Sequence, residues 1–95
     1  MMTDILDELY STISDRKQNP KPGSYTSSLF EAGEDEIVKK VGEEAIEVII
    51  AAKGQTDRRL IEESADLLYH LWVVLALRDV TPKQVVAELE KRHRK

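Results

Sequence analysis

Apolar residues recur along this chain mainly at helical spacing, and no segment alternates with the period of a β-strand. One apolar stripe near the start predicts a first helix from about Asp4 to Lys17. The segment 19–23 contains two prolines and a glycine and ends this helix. Residues 24–28 either continue the loop or cap a short helix around Leu29 to Ala32, which Gly33 ends.

Two longer helices follow, each of about twenty residues and each more apolar than an ordinary surface helix. The first is predicted from about Glu34 to Lys53, with Gly54 at its C-terminal cap. The second is predicted to begin at Asp57 as its cap and to extend to about Arg78. Because only two or three residues connect them, the two helices are expected to form an antiparallel αα-hairpin.

The last helix has a clear start signal in the sequence. Thr81 to Gln84 forms a capping box with Pro82 at the first helical position. The sequence therefore predicts an all-α fold in which residues 1–95 form one domain. Since the hairpin carries more apolar surface than one short chain covers, we expect a homodimer in which a second hairpin completes a four-helix core.

Composition then narrows the classes of function. The net charge of -4 disfavours nucleic-acid binding, and the basic residues 91–95 are interpreted as a helix end that complements its dipole. The absence of cysteine excludes disulfides, thiolate metal sites and cysteine nucleophiles. The N-terminal residues lack the apolar stretch of a signal peptide, and the apolar run 71–77 is far shorter than the ~20 residues of a membrane span. We therefore expect a cytoplasmic protein without a membrane partner.

Two acidic clusters lie at mirrored positions in the hairpin. Glu47 and Glu63 each lie eight residues from Gln55 at the centre of the turn, and Glu44 and Asp66 each lie eleven residues from it. Equal offsets mean equal height in antiparallel helices, and the i, i+3 spacing places both acids of each helix on one face. Four carboxylates are therefore predicted to converge on a seam with apolar flanks. So much like charge in a poorly solvated place requires a cation.

The alternative is a solvated face on which Glu43 and Glu44 pair with Lys39 and Lys40 at i, i+4 spacing. The mirrored positions and the apolar flanks favour the seam. Oxygen ligands without histidine or cysteine select a hard cation, Mg2+, with Mn2+ able to substitute. Carboxylate-bound Mg2+ neutralises phosphate charge and activates water for attack on a phosphoanhydride.

Lys40 and His70 lie level with each other, one turn beyond the acids. Lys40 is a candidate phosphate contact. His70 is either a second such contact or a hydrogen-bonding group within the bundle. A di-iron carboxylate site is disfavoured, because Asp66 and His70 are one residue too far apart for the Glu-x-x-His motif.

The acidic clusters resemble the motif of the MazG-type all-α nucleotide pyrophosphohydrolases, Glu-Glu-x-x-Glu, a spacer and Glu-x-x-Asp. Here the motif is Glu43-Glu44-Ala45-Ile46-Glu47 and Glu63-Ser64-Ala65-Asp66. Three further stretches, 23–29, 39–45 and 66–71, are similar to the phosphoribosyl-ATP pyrophosphohydrolase family in particular. The similarity covers essentially the whole chain, and a MazG-like helical bundle is the fold that it implies.

The resemblance implies Mg2+-dependent hydrolysis of phosphoribosyl-ATP to phosphoribosyl-AMP and pyrophosphate, the second step of histidine biosynthesis. Glu43 and Glu44 are then the candidate catalytic residues, and Glu43 is a further ligand or orients the water. The family motif assigns the metal to four acids: Glu44, Glu47, Glu63 and Asp66. No fused cyclohydrolase is expected, so the next step belongs to another protein.

The candidate substrate contacts are less specific than the acidic motif. They are Lys40, His70 and the loop Ser24-Tyr25-Thr26, for which helix capping is the alternative role. Glu62 lies outside the motif and is expected to face solvent. Two other functions stay open, a MazG-type enzyme that clears nucleoside triphosphates and a non-catalytic helical dimerisation module with a structural metal.

Overall fold

The structure is a computed structural model that describes residues 2–94, with side chains described from residue 5 to residue 94. This part of the chain forms only helices, and no strand occurs in it. The five helices are α1 (Met2–Gln18), α2 (Tyr25–Ala32), α3 (Glu34–Gly54), α4 (Asp57–Leu77) and α5 (Pro82–His93). The predicted all-α fold class is therefore confirmed. None of these helices combines the length and the apolar character that crossing a membrane requires.

The short helix α2 begins at Tyr25, earlier than the sequence pattern predicted. Ser24 caps it, because its hydroxyl accepts a hydrogen bond from the backbone N–H of Ser27 at 3.1 Å. The capping role of this segment is therefore confirmed. Gly33 separates α2 from α3 as predicted, and its φ of 102° lies in the region that favours glycine.

The turn between α3 and α4 differs from the prediction by one residue on each side. Gly54 is the last residue of α3, and Gln55, with an extended backbone, is the C-cap. Thr56, not Asp57, caps α4, since its hydroxyl accepts from the backbone N–H of Arg59 at 3.2 Å. Threonine and aspartate are both good N-caps. Thr56 has the extended backbone of a cap, whereas Asp57 is already the first residue of the helix. The predicted αα-hairpin is confirmed, and α3 packs extensively against α4.

The buried core lies where α1, α2 and α3 meet the C-terminal half of α4. Its residues are Ile13, Leu29, Ile37, Trp72, Val73 and Ala76. The Trp72 indole N–H donates to the backbone oxygen of Leu6 at 3.1 Å. The Lys17 ammonium donates to the last carbonyls of α4, including that of Ala76 at 2.9 Å. These contacts fix the end of α4 that is distant from the acidic cluster.

Helix α5 starts with the capping box that the sequence predicted. The Thr81 hydroxyl accepts from the backbone N–H of Gln84 at 3.3 Å, and the Gln84 side chain accepts from the backbone N–H of Thr81 at 2.8 Å. Only a few contacts join α5 to α1. Its apolar side chains Val86 and Leu89 are exposed.

An exposed isoleucine face runs along the hairpin. It consists of Ile46, Ile49 and Ile50 on α3, which are 56%, 60% and 46% exposed. The spacing of the three α3 residues places them on one stripe of the helix. The apolar composition of α3 predicted a buried helix, and a single chain does not bury this face. The finding agrees with the expected surplus of apolar surface.

A three-carboxylate cluster on the hairpin and the residues around it

Three carboxylates meet across the hairpin and form the three-carboxylate cluster: Glu44 of α3 with Glu63 and Asp66 of α4. One carboxylate oxygen of each lies within 4.8 Å of the other two. Glu63 is buried, Glu44 is half-buried and Asp66 is exposed. The cluster therefore extends from a buried base to the solvent, and three of the four predicted metal ligands belong to it.

The donor set of the cluster fits a hard divalent cation. All three groups offer carboxylate oxygen, which Mg2+ and Mn2+ prefer. The cluster oxygens lie within 4.8 Å of one another, so the three side chains need to move closer together to share one ion. The exposed side at Asp66 leaves room for the water ligands that Mg2+ usually keeps.

The structure does not bring Glu43 or Glu47 into the cluster, and both are exposed. Glu43 instead forms an ion pair with Lys40, with 3.6 Å between Oε1 and Nζ. Glu47 follows Glu44 by three residues, and this step turns its side chain by about 60° around the helix axis. Equal height along two helices therefore does not make both acids face the partner helix. The catalytic role of Glu43 and the metal-binding role of Glu47 stay predictions.

Arg59 is the residue of this site that sequence analysis missed. Its Nη2 donates to Oε2 of Glu63, and its Nη1 donates to Oε1 of Glu62 at 2.5 Å. Arg58 holds the other oxygen of Glu62, with its Nε at 3.2 Å. The hydrogen bond to Glu62, followed by the charge of Glu63, raises the pKa of Arg59. The bond from Arg59, followed by that from Arg58, lowers the pKa of Glu62.

The Glu62 side chain is 38% exposed, in agreement with the expectation that it faces solvent, and two arginines hold its carboxylate there. The signal for Arg59 was present in the sequence. Glu62 and Glu63 follow it at i+3 and i+4, the spacings at which helical side chains meet. The acidic motif alone gave no reason to include it.

His70 is buried one turn beyond Asp66, with an exposed fraction of 8%. Its Nδ1 lies 2.7 Å from the backbone oxygen of Asp66, so this nitrogen carries the proton and donates. In the neutral ring, Nε2 then accepts from the Tyr25 hydroxyl at 2.9 Å. Of the two roles open to His70 from the sequence, the structure shows hydrogen bonding within the fold.

Aromatic rings surround His70 on the same side of the molecule. The rings of Tyr25 and Tyr69 stack at a centroid distance of 6.2 Å, and His70 meets both edge-on at 5.8 and 5.0 Å. The proximity of Tyr25, followed by that of Glu43, raises the pKa of Lys40. Lys40, Tyr25 and His70 are therefore brought together within one helical turn of the acids, although they come from three helices.

The two other loop candidates have partners within the fold. The Ser24 hydroxyl caps α2, as described above, and the Thr26 hydroxyl is hydrogen-bonded to that of Tyr69. Burial is the main cause that raises the pKa of Tyr69. The contact of Thr26 with Tyr69 joins the start of α2 to α4. A direct contact of either the Ser24 or the Thr26 hydroxyl with substrate stays a prediction.

This chain is similar to known proteins over nearly its whole length. The family model described as phosphoribosyl-ATP pyrophosphohydrolase matches residues 6–93. A phosphoribosyl-ATP pyrophosphatase of Pelotomaculum thermopropionicum is 53% identical over 92 residues, which cover 97% of this chain and 94% of that protein. One of Trichlorobacter lovleyi is 57% identical over 88 residues, which cover 93% and 82%.

A third relative is named as a bifunctional protein. It is a histidine biosynthesis bifunctional protein of Caldanaerobacter subterraneus, 49% identical over 92 residues, which cover 97% of this chain and 45% of that protein. Family model and relatives thus agree over nearly the whole length of the chain. The chain belongs to the phosphoribosyl-ATP pyrophosphohydrolase family.

Proposed function

We propose that this chain hydrolyses phosphoribosyl-ATP to phosphoribosyl-AMP and pyrophosphate, the second step of histidine biosynthesis, in the cytoplasm. The observation that carries the proposal is the three-carboxylate cluster in a chain that matches this family from residue 6 to residue 93. A phosphoanhydride carries negative charge at the bond to be broken, and three converging carboxylates are suited to hold the cation that such a substrate requires.

In this proposal Glu44, Glu63 and Asp66 hold Mg2+, and Mn2+ substitutes for it. The bound metal neutralises phosphate charge and lowers the pKa of a water molecule. Glu47 is proposed as a fourth ligand, since it lies on α3 only one turn from Glu44. Its exposed side chain is free to rotate towards the open side of the cluster.

Glu43 and Glu44 are the proposed catalytic residues. Glu44 would hold the metal, which would supply the activated water. Glu43 is exposed beside the cluster, where its carboxylate can accept a hydrogen bond from a water molecule and orient it. The 3.6 Å ion pair with Lys40 holds Glu43 on this side of α3.

Substrate contacts are proposed for Lys40 and Tyr25, and for the hydroxyls of Ser24 and Thr26. The Lys40 ammonium suits a phosphate group. Tyr25 exposes 49% of its surface, although its hydroxyl points inwards to His70. An aromatic face exposed in this way can stack on a nucleobase. His70 acts by holding Tyr25 in place.

We also propose a homodimer through the isoleucine face. Contiguous apolar patches on soluble proteins commonly mark interfaces. A second copy is the occupant proposed, because two antiparallel hairpins related by a two-fold axis form a four-helix bundle. The three isoleucines of this face, about half exposed in the single chain, would lie in the core of that bundle.

Product analysis tests the proposed activity. The chain is supplied with Mg2+ and either phosphoribosyl-ATP or common nucleoside triphosphates, and the released phosphate species is identified. We expect pyrophosphate from phosphoribosyl-ATP and little turnover of the others. Equal release of pyrophosphate from common triphosphates would favour the triphosphate-clearing alternative. No turnover of any substrate would favour a helical dimerisation module.

A further inference from the structure

We infer that Arg59 is a positioning residue for Glu63, which it holds in place towards Glu44 and Asp66 so that a divalent cation meets a pre-formed cluster. The inference rests on the proposed function, because it takes Glu63 as a metal ligand. Arg59 lies outside the acidic motif and contributes no oxygen ligand. Its action is on the orientation of the acid that lies one turn after it in α4.

The hydrogen bonds of Arg59 join two neighbouring carboxylates. Its two terminal nitrogens reach different acids, Glu63 through Nη2 and Glu62 through Nη1. The guanidinium is rigid and planar, so fixing one end on Glu62 also fixes the direction of its bond to Glu63. The Glu63 carboxylate therefore receives a donor with a defined position.

Burial shows why Glu63 needs this partner. The Glu63 side chain is 8% exposed, whereas that of Arg59 is 47% exposed. A buried carboxylate without a partner is strongly unfavourable. A glutamate also loses the freedom of several rotatable bonds when a cation binds it. Because Arg59 already restricts that freedom, less of it is lost when the metal binds.

Arg59 and a cation can share Glu63. A carboxylate has two oxygens and about four acceptor positions, and Arg59 uses one of them on Oε2. Three carboxylates and one guanidinium leave two net negative charges, which one divalent cation neutralises. Groups that hydrogen-bond to ligating carboxylates orient them and raise metal affinity. Arg59 is placed to do this for Glu63.

Calorimetric titration with Mn2+ tests the inference on the full chain. We expect Arg59→Gln to bind Mn2+ at least about tenfold more weakly than the unsubstituted chain. The matched control is Arg58→Gln, which removes the same charge from the preceding residue. Arg58 contacts Glu62 but not Glu63. We expect this variant to stay within about twofold, since an exposed charge is largely screened.

A lysine variant separates charge from bridging. Arg59→Lys keeps the charge but cannot span two carboxylates as a guanidinium does. We expect it to bind Mn2+ more weakly than the unsubstituted chain and more tightly than Arg59→Gln. Binding equal to that of the unsubstituted chain would overturn the bridging role. If circular dichroism shows that Arg59→Gln does not fold, the comparison of Arg59→Lys with the unsubstituted chain still tests the bridging role.

The remaining outcomes separate this inference from the proposed function. If the unsubstituted chain binds Mn2+ and Arg59→Gln binds it as tightly as Arg58→Gln, Arg59 has no positioning role. Tighter binding by Arg59→Gln would show that the arginine competes with the metal, which also overturns the inference. If the unsubstituted chain binds no Mn2+, the proposed metal site itself fails, and the inference fails with it.

Discussion

The hydroxyl of Tyr25 and the Nε2 atom of His70 lie 2.9 Å apart, although 45 positions separate the two residues in the chain. This contact joins the first turn of α2 to α4, one turn beyond Asp66. Because Nδ1 of His70 also donates to the backbone oxygen of Asp66, the histidine connects α2 to the backbone of a proposed metal ligand. The proposed substrate contacts and the three-carboxylate cluster therefore have a fixed relation to each other.

Removal of the Tyr25 hydroxyl is expected to destabilise the fold. Tyr25→Phe leaves Nε2 of the buried His70 without this partner, and an unsatisfied buried polar atom costs about 1–3 kcal/mol. We expect the free energy of unfolding to fall by about that amount in urea titrations. Ser11→Ala, which removes an exposed hydroxyl from α1, is the control. An unchanged free energy in Tyr25→Phe would show that the hydrogen bond is not maintained in solution.

Removal of the whole Tyr25 ring is expected to weaken substrate binding. Stacking of a base on an aromatic ring contributes about 1–3 kcal/mol. We therefore expect Tyr25→Ala to raise KM for phosphoribosyl-ATP by about tenfold or more, with a smaller effect on kcat. Tyr25→Phe keeps the ring but loses the bond to His70, and it is expected to raise KM less than Tyr25→Ala does. Equal KM values for the alanine variant and the unsubstituted chain would remove Tyr25 from the substrate site.

Alkaline pH is expected to destabilise the fold through Tyr69. Burial raises the pKa of Tyr69 above its usual value of 10.0. Since the folded-state pKa lies above the unfolded-state one, this contribution is complete below about pH 10 and is lost as the pH rises through the folded-state pKa. We expect Tm to fall above about pH 10 and to fall less steeply in Tyr69→Phe. The same slope in both proteins would contradict this assignment.

The isoleucine face is expected to mediate dimerisation. Ile49→Asp places a charge at the position that is 60% exposed in the single chain, and a charge buried in an apolar interface is strongly unfavourable. Sedimentation equilibrium at micromolar concentration is expected to show a dimer for the unsubstituted chain and a monomer for the variant. Val86→Asp, on α5, makes the same kind of change outside this face and is expected to stay dimeric. A fully active monomeric unsubstituted chain would contradict the proposal.

Helical periodicity and turn residues predicted most of the fold. The short connection predicted the αα-hairpin, and the mirrored positions of Glu44 and Asp66 predicted that they meet, which the structure confirms. Periodicity could not place Glu47, because height along a helix does not determine rotation about its axis. It could not choose between Thr56 and Asp57 as the cap, because both side chains suit that position.

Side-chain pairing was harder to predict than backbone structure. The spacing that joins Arg59 to Glu63 also occurs between Glu88 and Arg92 on the exposed side of α5. The spacing alone does not distinguish an ion pair with a buried acid from an ordinary ion pair on the surface. Burial of Glu63, which only the packed hairpin reveals, makes the difference.

The central claim is that the three-carboxylate cluster holds the cation that phosphoribosyl-ATP hydrolysis requires. The most direct test is pyrophosphate release as a function of Mg2+ concentration for the unsubstituted chain, Asp66→Asn and Asp57→Asn. Both substitutions keep the side-chain volume and remove one charge from α4, but only Asp66 belongs to the cluster. We expect Mg2+-dependent release by the unsubstituted chain and by Asp57→Asn, and nearly none by a folded Asp66→Asn. Full activity in excess chelator, or normal release by Asp66→Asn, would contradict the account.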